Sequence, residues 1–148
     1  FRRKCPSTVE LVTESNMDEV KDLLIKWCQQ RECDKYTILK HEKTAISEAV
    51  NHFDQLDFSG IAISPKGEMG GIAIFEELNP STAVVHYEKG LPDCEGIYKE
   101  LNIQAAMHLK DRYQFINRES DMGIPGLRES KERYHPDHFA ELYYLENL

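Results

Sequence analysis

Residues 60–90 read GIAISPKGEMGGIAIFEELNPSTAVVHYEKG, and their pattern predicts the central strands of the sheet. Two apolar runs, over residues 60–64 and 69–77, are separated by a Pro-Lys-Gly turn and predict an antiparallel hairpin. An Asn-Pro dipeptide ends the second run, and residues 83–88 predict the next strand. The centre of the chain is therefore expected to be a run of antiparallel strands.

The residues before this stretch predict a strand followed by two helices. Residues 8–13 alternate β-branched and polar side chains, which is typical of a short strand. Asn16 is placed to cap a helix, and Glu19 is placed to complete a capping box. The apolar stripe of this first helix consists of Val20, Leu23, Leu24, Trp27 and Cys28. A second helix is predicted over residues 38–56, and its buried side consists of Ile46, Ala49, Val50 and Phe53.

The residues after the stretch predict helices that alternate with strands. A helix over residues 96–110, a strand over 113–117, a short helix over 126–134 and a closing strand over 139–145 are expected. The stripe of the longer helix consists of Ile97, Tyr98, Leu101, Ala105 and Leu109, with Asn102 inside it. This order implies an α/β fold in which a mixed, mostly antiparallel sheet carries helices on both faces.

The composition restricts both size and partners. With 148 residues the chain is expected to be a single domain with one core. There are 26 acidic and 18 basic residues, which gives a formal net charge of −8. Such a charge disfavours general binding to nucleic acids or anionic membranes. Residues 1–4 lack an initiator methionine, so we expect that the chain lies inside a longer protein.

The cysteines and the hydropathy pattern indicate the cellular compartment in which the protein is expected to reside. The four cysteines are scattered, and none forms the two-residue spacing of a zinc knuckle or a redox motif. We therefore expect free thiols in a reducing cytosol, and a cytoplasmic location. No apolar run approaches the roughly 20 residues that cross a bilayer, so no membrane span is expected.

Three motifs carry a resemblance to a known family: VVHYEKG at 84–90, GIYKELN at 96–102 and NRESDMGIPGLRESKERYHP at 117–136. With the order of elements, they resemble the carboxy-terminal domain of lysyl-phosphatidylglycerol synthases and their soluble relatives. That domain has the GNAT acetyltransferase fold. The segments KWCQQREC and NHFDQLDFSG, which begin at Lys26 and Asn51, extend the resemblance over nearly the whole chain. Family members carry two GNAT-like halves in tandem, so the resemblance implies that an amino-terminal half precedes this chain.

The resemblance implies an acyl or aminoacyl transferase. In the synthases the domain moves an aminoacyl group from a charged tRNA to a lipid headgroup, whereas the soluble relatives have no settled substrate. The implied donor is aminoacyl-tRNA or acyl-CoA, and the implied acceptor is a small molecule or a lipid headgroup. Residues 89–96, KGLPDCEG, match only part of the loop with which acetyltransferases hold the CoA pyrophosphate. The alternative is a non-catalytic ligand-binding or assembly module that retains the fold.

Acyl transfer needs a base, a site for the developing oxyanion and an acid. Glu88, at the end of its strand, and Asp121, in a later loop, are candidates to act as the base or to hold a substrate ammonium. Their structural alternatives are a salt bridge for Glu88 and a loop cap for Asp121. In GNAT enzymes a tyrosine on the helix after the fifth strand often stands near the leaving thiol, so the resemblance assigns the acid to Tyr134. A packed tyrosine at a helix end is the other interpretation.

Further candidates are assigned to substrate binding. Lys89 and the amides that begin the helix at Gly96 suit an anionic group such as phosphate, although Glu95 opposes it. Asn102 lies on a packed helix face, where its amide needs partners from the backbone or from a ligand. The same binding set includes Asn117 and Glu119.

The segment 117–136 is expected to be a rigid rim. Two glycines and Pro125 constrain its backbone, and we predict that it directs Asp121, Arg128 and Lys131 toward one cleft. Exposed ion pairing explains part of its charge, but such a pair contributes only about 0.3–0.5 kcal/mol. His135 and His138 form a weak zinc pattern that is interrupted by proline, so no metal is predicted.

Overall fold

The computed structural model describes residue 1, residues 3–141, and residues 143 and 145. The chain divides into two compact units, Phe1–Asn117 and Arg118–Leu148, and each is described by itself. Within the described residues, no helix is long and apolar enough to cross a membrane. The chain is predicted to be a single domain, and an amino-terminal GNAT-like half is predicted to precede it. Both statements stay predictions.

The first unit contains the sheet and three α-helices. Its elements are β1 (Ser7–Leu11), α1 (Met17–Arg31), α2 (Thr37–Asn51), β2 (Ser59–Pro65), β3 (Gly71–Asn79), β4 (Thr82–Gly90), α3 (Ile97–Leu109) and β5 (Phe115–Asn117). Short 3-10 turns lie at Glu14–Asn16, Cys33–Lys35 and Phe53–Leu56. The second unit contains α4 (Pro125–Glu132). The predicted elements up to β5, and the short helix after it, are confirmed with shifted ends.

The five strands form one mixed sheet in the order β1-β2-β3-β4-β5. The first four strands are antiparallel neighbours, and β5 runs parallel to β4. The β2–β3 turn places Lys66 and Gly67 at φ values of 58° and 87°, the left-handed region that favours glycine. β5 pairs with β4 only from Thr82 to Val84, and β4 then continues to Gly90.

Alternation along the strands divides the core between the two faces of the sheet. Ile72 and Ile74 pack with residues of α1 and α2, whereas Ile61 and Ile63 pack with residues of α3. Burying one such side chain stabilises the fold by about 1.5–3 kcal/mol. Helices therefore cover both faces, as predicted.

Two predicted helix ends differ from the structure. The capping box of Asn16 and Glu19 does not form, because Asn16 Oδ1 accepts from Thr13 N at 2.9 Å and Nδ2 donates to Leu11 O at 2.9 Å. Asn16 thus fixes the connection between β1 and α1. The second helix ends at Asn51 as an α-helix, and the following 3-10 turn keeps Phe53 buried.

The prediction of free thiols is wrong. Cys5 is joined to Cys94 and Cys28 to Cys33, with Cα–Cα distances of 6.2 and 5.1 Å that suit disulfides. One pair is 89 positions apart, so no local spacing rule could show it. The cysteines therefore give no argument for a reducing compartment, and the cytoplasmic location stays a prediction.

The predicted closing strand over residues 139–145 is not formed where the structure describes it. Residues 139–141 are irregular, and the Phe139 side chain is exposed. The rest of the prediction falls partly on Leu142 and Tyr144, which lie outside the described residues. The sheet that the described residues build therefore has five strands.

Candidate functional site

In the first unit, the candidates gather where β4 ends and α3 begins. Gly90 ends the strand, and a Cβ added there would lie 2.7 Å from Ile97 Cγ2, so the close approach of strand and helix requires glycine. Gly96 precedes α3 with φ at 88°, again a conformation suited to glycine. Between them, Cys94 is held by its disulfide to Cys5. This turn is therefore short, tightly packed and covalently anchored.

Lys89 is buried beside this turn, with 5% of its surface exposed. Its Nζ lies 2.5 Å from Glu42 Oε1 on α2 and 4.3 Å from the centre of the Trp27 ring on α1. The carboxylate and the aromatic face both stabilise the ammonium. Lys89 would therefore have to leave Glu42 before it could bind a phosphate.

Trp27 connects Lys89 to the first turn of α3. Its Nε1 donates a hydrogen bond to Tyr98 Oη at 3.0 Å. We call Trp27, Glu42, Lys89 and Tyr98 the Trp27 cluster. Sequence reasoning assigned Trp27 and Tyr98 to the apolar core and did not single out Glu42, because no local motif links α1, α2 and the end of β4.

Glu88 and Asn102 are half-buried in the same unit. Glu88 lies opposite Ala73 of β3, and strand alternation directs it to the face opposite that of Lys89. Asn102 follows the fully buried Leu101 on α3. Sequence reasoning also missed Glu100, a buried carboxylate that accepts a hydrogen bond from Gln104 Nε2 at 2.7 Å. Glu88 and Asn102 stay candidates on these positions.

Asn117 ends β5 and pairs in register with Val84 of β4. Its side chain is half-buried. The pairing between β4 and β5 therefore ends at Val84 and Asn117, and Asn117 is the last residue of the first unit. Its predicted role in substrate binding stays a prediction.

In the second unit, Asp121 binds Arg128. Arg128 Nε donates to Asp121 Oδ2, and Gly123 N donates to Asp121 Oδ1 at 2.8 Å. The hydrogen bond from Arg128, followed by that from the Gly123 amide, lowers the pKa of the Asp121 carboxyl below its ordinary value. The same pair raises the pKa of Arg128. A carboxylate stabilised in this way is a weaker base, so its contacts favour a loop-ordering role.

Lys131 binds the backbone of the same loop. Its Nζ donates to the carbonyl oxygens of Arg118, Glu119 at 3.1 Å and Ser120 at 2.8 Å. Glu119 has a left-handed backbone, with φ at 55°. The predicted rigid segment is thus supported by contacts between its own candidates. Its orientation toward a cleft stays a prediction.

Tyr134 follows α4, and its ring receives a guanidinium. The Arg118 Cζ lies 4.6 Å from the centre of the Tyr134 ring, a cation–π distance. The tyrosine is 37% exposed, so it is not part of a buried core. Its predicted role as an acid stays a prediction.

A cavity of about 400 Å³ lies at the other end of the first unit, where β3 and α3 end. Tyr113 Oη donates to Glu77 Oε2 at 3.0 Å, and Arg112 donates to the same oxygen at 2.8 Å. Burial, then the bond to Glu77, raises the pKa of Tyr113. None of the predicted site residues lines this cavity. No group of His, Cys, Asp or Glu among the described residues is arranged to hold a metal ion.

The mixed sheet with helices on both faces has the GNAT-like α/β fold. A ribosomal-protein-alanine N-acetyltransferase from Brucella melitensis biovar Abortus 2308 superposes with a TM-score of 0.67 at 16% identity, covering 95% of this chain and 99% of that one. An aminoglycoside acetyltransferase from an uncultured soil metagenomic sample, in complex with sisomicin, gives 0.63 at 11% identity, covering 100% and 99%. At these identities the likeness shows the fold alone.

The sequence adds the family to this fold. The family model "Phosphatidylglycerol lysyltransferase, C-terminal" matches residues 1–146, so the chain belongs to that family. A conserved protein of unknown function from Bacteroides thetaiotaomicron VPI-5482 has a TM-score of 0.88 at 30% identity. The match covers 93% of this chain and 47% of that protein, so the chain spans about half of its length. No curated protein matches the sequence.

Proposed function

We propose that the chain transfers an acyl or aminoacyl group, and that the reacting carbonyl binds along the end of β4. The observation that carries the proposal is that β4 continues from Val84 to Gly90 after its pairing with β5 has ended. Beyond Val84, the described strand β5 does not pair with β4. Backbone N–H groups that a strand holds in place stabilise the oxyanion that develops during acyl transfer when they point at it.

Glu88 is the base in this proposal. It lies within the continuing part of β4, and it is half-buried rather than fully exposed. Its role would be to accept the proton of the attacking amine or hydroxyl group as the new acyl bond forms. Asp121 is less suited to that step because Arg128 and Gly123 stabilise its charged form. We therefore assign Asp121 and Arg128 to the ordering of their own loop.

The donor proposed is an aminoacyl-tRNA or an acyl-CoA, and the acceptor is a small molecule or a lipid headgroup. Family membership favours an aminoacyl group, because the matched family is named for a lysyltransferase. The net charge of −8 does not favour tRNA binding by this chain alone. We therefore propose that a preceding GNAT-like half contributes to binding the donor.

The test is transfer by the full-length protein that contains this chain. It would be incubated with labelled aminoacyl-tRNA or acyl-CoA and a panel of amines and lipid headgroups, and the product would be measured by mass spectrometry. Glu88→Gln is expected to lower turnover by about 10²–10⁴-fold, the usual contribution of a general base. Glu95→Gln is the matched control, because its side chain is 92% exposed. Equal turnover by wild type and Glu88→Gln contradicts the assignment.

A non-catalytic binding module is the second candidate. The observation that favours it is that Lys89 and Asp121 are already neutralised by Glu42 and Arg128. A domain whose charged candidates are already held in ion pairs retains the fold without using those groups for chemistry. Calorimetry against CoA thioesters, amino acids and charged tRNA separates the two functions. Binding without product supports the module, and product formation excludes it.

A further inference from the structure

The Cys28–Cys33 disulfide closes the corner between α1 and α2. α1 ends at Arg31, Glu32 adopts a left-handed conformation with φ at 52°, and Cys33 begins the 3-10 turn that leads to α2. Lys43 of α2 binds Asp34 of that turn at 3.0 Å. The disulfide therefore links the last turns of α1 to a segment that is itself bound to α2.

The two helices that meet at this corner, α1 and α2, each contact Lys89. Trp27 immediately precedes Cys28 on α1, and its ring receives the Lys89 ammonium. Glu42 lies beside Lys43 on α2, and its carboxylate pairs with the same ammonium. Loosening the corner would move the ring and the carboxylate relative to each other, because they lie on the two helices that flank the segment closed by the disulfide.

The two disulfides differ in access and span. Cys5 and Cys94 are both buried and lie 89 positions apart, so their link closes a long loop. Cys28 is half-buried, and it lies five positions from its partner Cys33. A short loop gains less stabilisation from cross-linking, and an attacking thiolate needs access to one sulfur. Cys28–Cys33 is therefore the link that a reductant reaches first.

We propose that Cys28–Cys33 is a redox-sensitive site that controls whether Lys89 is free to bind an anionic group. The reductant is a dithiol. One of its thiolates attacks Cys28 Sγ, so that the disulfide breaks and Cys33 leaves as a thiolate that takes up a proton. The second thiolate of the reductant attacks the mixed disulfide and releases Cys28. Two electrons and two protons pass to the protein, and the reductant becomes a disulfide.

In the oxidised protein the Lys89 ammonium is held by Glu42 and Trp27. In the reduced protein it is released toward the turn between β4 and α3. The identification of this anion as a phosphate of the acyl donor rests on the proposed function. The release of Lys89 does not depend on that function, so it is tested without any transfer reaction.

The experiment uses this chain and dithiothreitol, with two readouts. Trp27 is the only tryptophan, so intrinsic fluorescence reports on its cluster. Labelling with acetic anhydride, quantified by peptide mass spectrometry, reports on the Lys89 amine. If the free form of Lys89 makes up about 10% of the oxidised protein and nearly all of the reduced protein, reduction raises its labelling rate about tenfold. The reference amine is Lys110, whose side chain is 63% exposed and whose rate is expected to stay unchanged.

Two double variants assign the response to one disulfide. With both Cys28→Ser and Cys33→Ser, Lys89 is expected to label at the fast rate with or without dithiothreitol. With both Cys5→Ser and Cys94→Ser, the tenfold response is expected to remain. If either variant fails to fold, the wild type is titrated alone while alkylation and mass spectrometry identify which pair has been reduced, and far-UV circular dichroism monitors the fold.

Three outcomes overturn the proposal. The first is alkylation of Cys28 and Cys33 in protein that has been air-oxidised and never reduced. The second is an unchanged Lys89 rate once alkylation shows that Cys28–Cys33 is open. The third is a response that follows the opening of Cys5–Cys94, or that coincides with loss of the circular dichroism signal. A failed transfer assay with a retained Lys89 response would count against the proposed function only.

Discussion

The indole Nε1 of Trp27 donates a hydrogen bond to the Tyr98 hydroxyl at 3.0 Å, and the two residues are 71 positions apart. The bond joins α1, on one face of the sheet, to the first turn of α3. The same indole ring receives the Lys89 ammonium. One core residue therefore fixes three elements around the end of β4.

Replacing the indole tests this bond. Trp27→Phe keeps an aromatic ring but removes the N–H donor, so we expect a loss of about 0.5–1.5 kcal/mol in the free energy of unfolding from the hydrogen bond, together with a packing loss. The measurement is urea unfolding followed by circular dichroism. A double-mutant cycle with Tyr98→Phe isolates the bond, and additive effects of the two substitutions would contradict the coupling.

The Lys89–Glu42 pair is expected to respond asymmetrically to substitution. Glu42→Gln leaves an ammonium whose side chain is only 7% exposed, whereas Lys89→Met leaves a carboxylate whose side chain is 33% exposed. An uncompensated buried charge costs about 3–5 kcal/mol, and a hydrated one costs less. Glu42→Gln should therefore lower the unfolding free energy more than Lys89→Met. Equal losses in urea unfolding would show that Lys89 reaches water easily.

The apolar pattern of the sequence predicts most of the first unit because period-two and helical stripes depend on local spacing. Ile61 to Ile63 and Ile72 to Ile74 show this, since alternate residues enter opposite faces of the sheet. The predicted closing strand does not form at residues 139–141, which are irregular. Of these three residues only Phe139 is of a type that favours a strand, because alanine and glutamate are depleted in strands.

The site was less predictable because its contacts connect distant elements. The position of Lys89 at the end of β4 follows from the sequence, but Glu42 is 47 positions away. The Cys5–Cys94 disulfide was hard to predict for the same reason, because its cysteines are 89 positions apart. Local contacts were easier: Asp121, Arg128 and Lys131 belong to one short segment, and the structure shows that they bind within it. Their direction toward a substrate stays a prediction.

The Asp121 carboxyl is expected to titrate below its ordinary value of 3.8. Arg128 and the Gly123 amide bind its charged form, so its stabilising effect is present above pH 3.8 and is lost as the pH falls through the lower folded pKa. Carboxyl-detected nuclear magnetic resonance measures that pKa. Arg128→Gln should move it upward, whereas Arg133→Gln should leave it unchanged, because Arg133 pairs with Glu129. An unchanged value in Arg128→Gln would contradict the assigned cause.

The glycine at the end of β4 gives the last prediction. In Gly90→Ala the new Cβ would lie 2.7 Å from Ile97 Cγ2, so α3 must shift. Such overpacking costs about 1–3 kcal/mol. Gly126→Ala is the matched control in α4, where an added Cβ meets nothing within 4 Å and alanine favours the helix by about 1 kcal/mol. Urea unfolding should thus show a loss for Gly90→Ala and no loss for Gly126→Ala. A neutral Gly90→Ala would mean that the turn between β4 and α3 is looser than its contacts require.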